Sequence, residues 1–437
     1  MSDEKISTSG SGKEGSEGAQ EPREAASAHL QPELSIGLVG HVDHGKTTLT
    51  EALTGKWTDT HSEEIKRGIT IKLGYADTVF RKCPACPEPQ CYTTKEFCPN
   101  CGASTVILRK VSFVDAPGHE SLMATMLSGA NIMDGALLLV AANEPCPQPQ
   151  TQEHIMALQI IGILQVVIAQ NKIDLVSNEA AVKNYQEIVE FLKTTPYAHA
   201  PIIPISAHAK VNLDVLIQAI QETIPTPKRD LTKEAVMLVA RSFDINKPGV
   251  SPDEMVGGVL GGALKQGSLK AGEEIEVRPG LRIEKHGKAS WQPITTKIVD
   301  IKAGGESLPE AFPGGSLGLM TTLDPAVVKS DSLAGSLVGR KGMLPKVWNS
   351  LFLKVHLLER VVGAKDKLVV EPIKVGELLM LNVNSGATVG GVDKIEKGGI
   401  RCSLKIPVCA GEGSRVTISR RIGARWRLIG YGILQAS

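Results

Sequence analysis

The sequence has no excess of charge of either sign: 48 Lys and Arg stand against 47 Asp and Glu. No global field therefore draws nucleic acid in, and any such binding must rest on local patches. No apolar run approaches the roughly 20 residues that a membrane-crossing helix needs. The first residues are polar and contain no apolar signal region, which argues against a secretory leader. Aromatics are few, at 4%, although the 42% apolar content is ordinary for a globular protein. Cysteines are sparse outside one stretch, with five of the eight falling between Cys83 and Cys101. In a chain with no mark of export, such clustering points to a metal before disulfides, and the cytoplasm is the expected location. At 437 residues the chain exceeds one core, so two to four domains are expected.

What is present begins with Gly40-His-Val-Asp-His-Gly-Lys-Thr-Thr48, which fits G-x-x-x-x-G-K-S/T. The apolar run Leu34–Val39 precedes it and the helix-forming run Thr47–Leu53 follows. Strand, glycine loop and helix is the context in which this motif binds phosphate. Glycines let backbone N–H groups close around phosphate oxygens, and the helix N-terminus adds partial positive charge. Asp43, His44, Gly45, Lys46, Thr47 and Thr48 are the expected phosphate-side residues. Lys46 reaches the β- and γ-phosphates, and the Thr47 hydroxyl ligates Mg²⁺. For His41 and His44 the backbone is expected to matter more than the ring, and Asp43 is either a cation contact or a solvated acid.

Three further motifs follow in order. Asp115-Ala-Pro-Gly-His119 ends a strand; Asp115 can hold Mg²⁺ through water, and the Gly118 N–H can sense a γ-phosphate. His119 is placed to orient an attacking water, with a loop histidine of no consequence as the alternative. Asn171-Lys-Ile-Asp174 follows another strand. Guanine offers N1–H and N2–H₂ as neighbouring donors, and the Asp174 carboxylate can accept from both. Adenine leaves that carboxylate unpaired and is rejected. Asn171 can tie this loop to the phosphate loop, the Lys172 stem can cover the base, and backbone N–H groups of Ser206, Ala207 and His208 can donate to guanine O6. Arg67-Gly-Ile-Thr-Ile71 lies between the first two motifs. Its Thr70 can close the Mg²⁺ shell when a γ-phosphate is present, making residues 58–75 an order/disorder switch.

Cys83-Pro-Ala-Cys86 and Cys98-Pro-Asn-Cys101 are two C-x₂-C pairs with 11 residues between them. Together they offer four thiolates for a closed, structural Zn²⁺, with Cys91 as a possible substitute ligand. Cys146, Cys402 and Cys409 read as small apolar residues.

The expected organisation is a disordered tail over 1–33, where seven acids face three Lys/Arg and no aromatic occurs. Next comes an α/β P-loop GTP-binding domain over 34–228, a mostly parallel sheet with helices on both faces and a small zinc knuckle at 83–101. A Pro-rich linker at 224–230 leads to two β-barrel domains, 235–345 and 346–437, whose short strands are punctuated by Gly-Gly pairs. The second β-rich run is expected to start near Leu351. Arg415, Arg420, Arg421, Arg425 and Arg427 surround Trp426 near its end, which reads equally as an RNA contact or as a solvated face.

With these motifs in place, the chain resembles a translational GTPase. More narrowly it resembles the gamma subunit of the archaeal/eukaryotic translation initiation factor two. The pointers are the cysteine knuckle, Ala141–Thr151, Arg241–Gly249 and Ser419–Gly430. The full four-cysteine knuckle makes the archaeal form the nearer likeness. The resemblance covers residue 34 to the end. It implies a GTPase that binds initiator methionyl-tRNA in the GTP state and delivers it to the small ribosomal subunit, in a heterotrimer with alpha and beta subunits and without membrane attachment. It also implies that Thr47 and Thr70 hold the main Mg²⁺, that Asp43 and the Gly68 carbonyl meet a second one, and that His119 positions the water. Three other readings stand beside it: an elongation-type factor including the selenocysteine kind, a GTPase subunit of a sulfate-activating assembly, and a nucleotide-binding scaffold that does not hydrolyse.

Overall fold

The computed structural model of the chain describes residues 31–58, 72–119, 123–247, 249–285, 288–359, 361, 368–423 and 425–436. Most of the expected tail, and Gly68 and Thr70 of the expected switch, lie outside these residues. The first unit runs β1 (Leu34–Gly40), α1 (Lys46–Thr54), β2 (Gly74–Lys82), β3 (Tyr92–Thr93), β4 (Val106–Asp115), α2 (Met123–Ala130), β5 (Gly135–Ala141), α3 (Pro149–Ile161), β6 (Val166–Asn171), α4 (Asn178–Leu192), β7 (Ile202–Pro204) and α5 (Leu213–Thr223). Its seven strands form one sheet in the order β3-β2-β4-β1-β5-β6-β7.

β4, β1, β5, β6 and β7 are mutually parallel, and β2 and β3 join antiparallel at one edge. Every residue of β1, β5 and β6 is buried, because helices cover both faces. α2, α3 and α4 pack on one face, and α1 and α5 on the other. The loops at the C-terminal ends of the parallel strands therefore collect at one rim, where ligands bind in such sheets. The β2 strand was not foreseen. Only Ala76 and Phe80 in it are fully buried, so its apolar signal is thin.

Two barrels follow. The strands β8 (Val236–Phe243), β9 (Val259–Gln266), β10 (Leu269–Lys270), β11 (Glu274–Lys285), β12 (Lys288–Ala303), β13 (Glu306–Leu308), β14 (Glu310–Ala311), β15 (Leu317–Thr321) and β16 (Leu337–Arg340) build the first. Its ring β11-β16-β8-β9-β15-β12 closes through β11–β12 pairing. The second is a closed barrel of β17 (Val347–Leu357), β20 (Gly399–Cys409), β19 (Gly386–Glu396), β18 (Leu378–Val383), β21 (Arg415–Ile422) and β22 (Arg425–Gln435), in that ring order. It starts at Val347, before the Leu351 expected from pattern. Each barrel has its own aliphatic core. The α2–α3–α4 cluster also reaches out to Leu238 and Leu337 of the first barrel and to Cys409 and Leu428 of the second.

The expected end of the tail at residue 33 is corrected by the packing of the residues just before β1. Gln31 is buried, donates to the Gly314 carbonyl at 2.9 Å and accepts from the Phe312 N–H at 2.9 Å. Side-chain amide bonds of this kind make a polar residue part of the fold despite its composition. No helix among the described residues is long and apolar enough to cross a membrane.

Candidate nucleotide site and metal centre

The phosphate loop leaves β1 at Gly40 and enters α1 at Lys46. Gly45 has φ 88°, and a Cβ there would stand 2.4 Å from Asn171 Nδ2. Glycine is needed at this position on both counts. Asn171, the last residue of β6, donates from Nδ2 to the His44 carbonyl at 2.9 Å and accepts at Oδ1 from the Ala207 N–H at 2.9 Å. One buried amide thus joins the phosphate loop, the loop after β6 and the loop after β7.

The His44 ring is not part of a phosphate surface. It is fully buried, with Nδ1 3.0 Å from the Leu139 carbonyl and Nε2 3.4 Å from a Glu144 oxygen. Only its backbone faces the loop. His41 and His44 are both held below the ordinary imidazole value, first of all by burial. Asp43 is exposed in a left-handed turn at φ 60°.

Lys46 donates from Nζ to the carbonyls of Gly40 at 3.1 Å and His41 at 2.8 Å. A Cβ on Gly118 would meet that Nζ at 2.6 Å and the Gly40 carbonyl at 2.9 Å, so the loop after β4 lies directly against the phosphate loop. The Thr47 hydroxyl donates to Asp115 Oδ2 at 2.8 Å, and the Thr58 hydroxyl donates to the same oxygen at 2.8 Å. Asp115 is fully buried. A carboxylate and a hydroxyl this close are the oxygen donors a hard divalent cation takes. Thr48 is half-buried in the first turn of α1, and His119 is exposed beyond Gly118.

On the base side, Lys172 is left-handed at φ 63°, which turns the chain into the short helical turn Ile173–Leu175 and leaves Asp174 exposed. Two of the three N–H groups expected to face guanine O6 are already engaged. Ser206 N–H donates to the Val211 carbonyl at 3.3 Å, and Ala207 N–H to Asn171. The side chain of the third, His208, is exposed.

The sequence reading missed His154 and Thr58. His154 lies on α3, is buried, and accepts the Gly40 N–H on Nδ1 at 2.8 Å. Burial, with the Lys46 charge second, pushes its pKa down to about 3. The ring is therefore neutral and keeps the lone pair that Gly40 needs. No residue spacing announces such a contact, because α3 and β1 are separated by more than a hundred residues.

The sulfurs of Cys83, Cys86, Cys98 and Cys101 all lie within 4.8 Å of one another. Cys83 and Cys101 are 3.4 Å apart, and Cys86 and Cys98 3.7 Å. Tetrahedral Zn²⁺ with Zn–S bonds of about 2.3 Å sets sulfurs about 3.8 Å apart, so the donor set fits that ion. Hydrogen bonding to Cys101 pushes the Cys86 thiol up to about 12, while backbone N–H groups, first that of Cys101, hold Cys98 down at about 7. Four thiolates at this spacing repel unless a cation sits between them. Cys91 is not in the group; its N–H donates to Pro87 and its carbonyl accepts from Cys83, so it shapes the turn. Burial pushes Cys146, Cys402 and Cys409 up to about 12, as unreactive apolar residues.

Three of the five C-terminal arginines are taken by contacts within the chain. Arg415 donates to the Ile160 carbonyl and lies over the Tyr431 ring, Arg420 pairs with Glu377, and Arg427 pairs with Glu153 in a buried contact. Arg421 and Arg425 are exposed.

The model of the elongation factor Tu GTP binding domain matches residues 31–226, and that of the initiation factor eIF2 gamma C-terminal domain matches 349–434. Translation initiation factor 2 subunit gamma of Methanothermobacter thermautotrophicus is 60% identical over 405 residues, covering 93% of this chain and 99% of that protein. The same subunit of Pyrococcus horikoshii is 60% identical over 93% of this chain and 98% of its own. Among solved structures, a bacterial selenocysteine-specific elongation factor superposes with a TM-score of 0.69 at 23% identity, over 92% of this chain and 58% of that one. The elongation factor SelB of Methanococcus maripaludis with a GTP analogue gives a TM-score of 0.68 at 22% identity, over 93% and 80%. These two likenesses concern the fold alone.

Proposed function

The chain belongs to the gamma subunits of translation initiation factor 2, and from that premise we propose that it binds initiator methionyl-tRNA in its GTP state and delivers it to the small ribosomal subunit. As a member of that family it is a GTP-binding initiation factor and a Mg²⁺-dependent GTPase, converting GTP to GDP and phosphate. Its expected partners are alpha and beta subunits, and its expected location is the cytoplasm.

In this reading Lys46 exchanges the Gly40 and His41 carbonyls for β- and γ-phosphate oxygens. Thr47, with Thr70 and Asp115, would hold Mg²⁺, which when bound would supply positive charge against the β- and γ-phosphates. Asp43 and the Gly68 carbonyl are the candidates for a second Mg²⁺. The Gly118 N–H meets the γ-phosphate, and His119 orients the water in line with it. Asp174 takes N1–H and N2–H₂ of guanine, while Asn171 holds the two loops in register and Lys172 covers the base. Cys83, Cys86, Cys98 and Cys101 would hold a structural Zn²⁺ that crosslinks the knuckle.

The observation that carries the tRNA half of this reading is a crevice of about 380 Å³ between the GTP-binding domain and the first barrel. Trp57, Tyr75 and Phe243 give it ring surface, Lys56 and Lys302 give it positive charge, and Arg241 at its wall is paired with Asp331 at 3.1 Å. Arg241 lies 6.0 Å from the Phe243 ring centre. Rings with cations suit an unpaired base and its phosphate. The rival is an elongation-type factor carrying other aminoacyl-tRNAs. Filter binding of the GTP-loaded protein to initiator and elongator methionyl-tRNA decides between them. A clear preference for the initiator is expected; equal affinity for both would sink the initiator reading.

A further inference from the structure

We propose that Glu153 and Arg427 are positioning residues for the phosphate loop, through which the second barrel controls how long the protein holds guanine nucleotide. The proposal rests on Gly40–Thr48 being the nucleotide site. Glu153 and His154 are neighbours on α3 and point to different sides of it. Glu153 receives the Arg427 guanidinium from β22, in a contact where the two residues are 2% and 9% exposed. His154 receives the Gly40 N–H at 2.8 Å. Near its other end, α3 is held by the same barrel, through Arg415 on the Ile160 carbonyl.

Gly40 links this helix to the phosphate-binding lysine. Its N–H is fixed by His154 while its carbonyl accepts from Lys46 at 3.1 Å. The path from β22 to the Lys46 ammonium thus has five members, Arg427, Glu153, His154, Gly40 and Lys46, each in direct contact with the next. A buried carboxylate deprived of its guanidinium is strongly disfavoured and must move toward water or take up a proton. Either response shifts α3. A hydrogen bond tolerates little change in length or angle, so a shifted α3 releases Gly40. By reciprocity, nucleotide that draws Lys46 away from Gly40 is felt at β22, and a partner seated on the second barrel changes nucleotide release.

The test is release of a fluorescent GDP analogue from the full chain, with folding checked by circular dichroism. Wild type, Arg427→Met, His154→Ala, their combination, and the charge-free pair Glu153→Gln with Arg427→Met are compared. Arg427→Met is expected to speed release about tenfold, within the range seen for changes along packed networks. His154→Ala should do the same, and the combination should be no faster than the faster single variant. The charge-free pair should return to within about threefold of wild type. Release from Arg427→Met within twofold of wild type, or effects that multiply in the combination, would overturn the proposal. If Arg427→Met does not fold, Arg427→Lys and Glu153→Gln carry the same two comparisons. A wild-type chain that binds no GDP, or a Lys46→Ala variant that binds it normally, would instead overturn the assignment of the site.

Discussion

Asn171 holds the His44 carbonyl with its nitrogen and the Ala207 N–H with its oxygen, both at 2.9 Å, and so binds three loops that meet only in the folded chain. Its amide is buried and uses donor and acceptor together, so no other side chain of similar size substitutes for it.

Replacing Asn171 by Ala leaves the His44 carbonyl and the Ala207 N–H without this partner. Each lost buried bond costs about 1–3 kcal/mol, so GDP affinity should fall by roughly 10- to 100-fold, measured by titration calorimetry. Asp174→Asn alters the base instead. Its amide can donate to the carbonyl that xanthine carries where guanine has an amine, so affinity should shift from guanine toward xanthine nucleotides. A variant that keeps its guanine preference would remove Asp174 from the base site.

The knuckle should carry one zinc per chain by atomic emission, and Cys98→Ser or Cys101→Ser should lose it. Cys91→Ser should retain it, because that sulfur lies outside the cluster. Metal binding displaces thiol protons, so affinity must fall as pH falls. Titrating downward from neutral pH with a zinc indicator should release metal. Zinc retention in Cys98→Ser would show that the four sulfurs do not act together.

His154 makes stability depend on pH in a predictable direction. Its folded pKa, about 3, lies below the 6.5 of an unconstrained imidazole. Below 6.5 the unfolded chain gains a proton that the folded chain refuses, so stability is complete above 6.5 and is lost as pH falls toward 3. Denaturant unfolding at pH 7.5, 6 and 5 should show the wild type losing up to about 1.4 kcal/mol per pH unit more than His154→Asn below 6.5. Parallel pH profiles for the two proteins would mean that His154 is not held neutral.

Much of the site was legible because its chemistry is local. Gly40 to Thr48 must follow a strand and open a helix, and β1 and α1 are where the apolar run and the helix-forming run put them. The four cysteines were legible because a metal knuckle requires close pairs. The arginine cluster was not. Arg415, Arg420 and Arg427 look alike in sequence, yet each is taken by a different distant acceptor. Gln31 likewise belongs by composition to a polar tail and is instead buried against Phe312 and Gly314.

By itself the sequence determined the alternation of strands and helices apart from β2, the loop expected to take phosphate, the acid expected to read guanine and the four clustered thiols. Each depends on residues within one short segment, where backbone geometry and side-chain chemistry are set by neighbours. Only the tertiary structure decided that His154 supports Gly40, that Thr58 shares Asp115 with Thr47, and that Arg427 closes on Glu153. Such contacts join positions far apart in the chain, and they form only when the helices and barrels have packed and excluded water from between them.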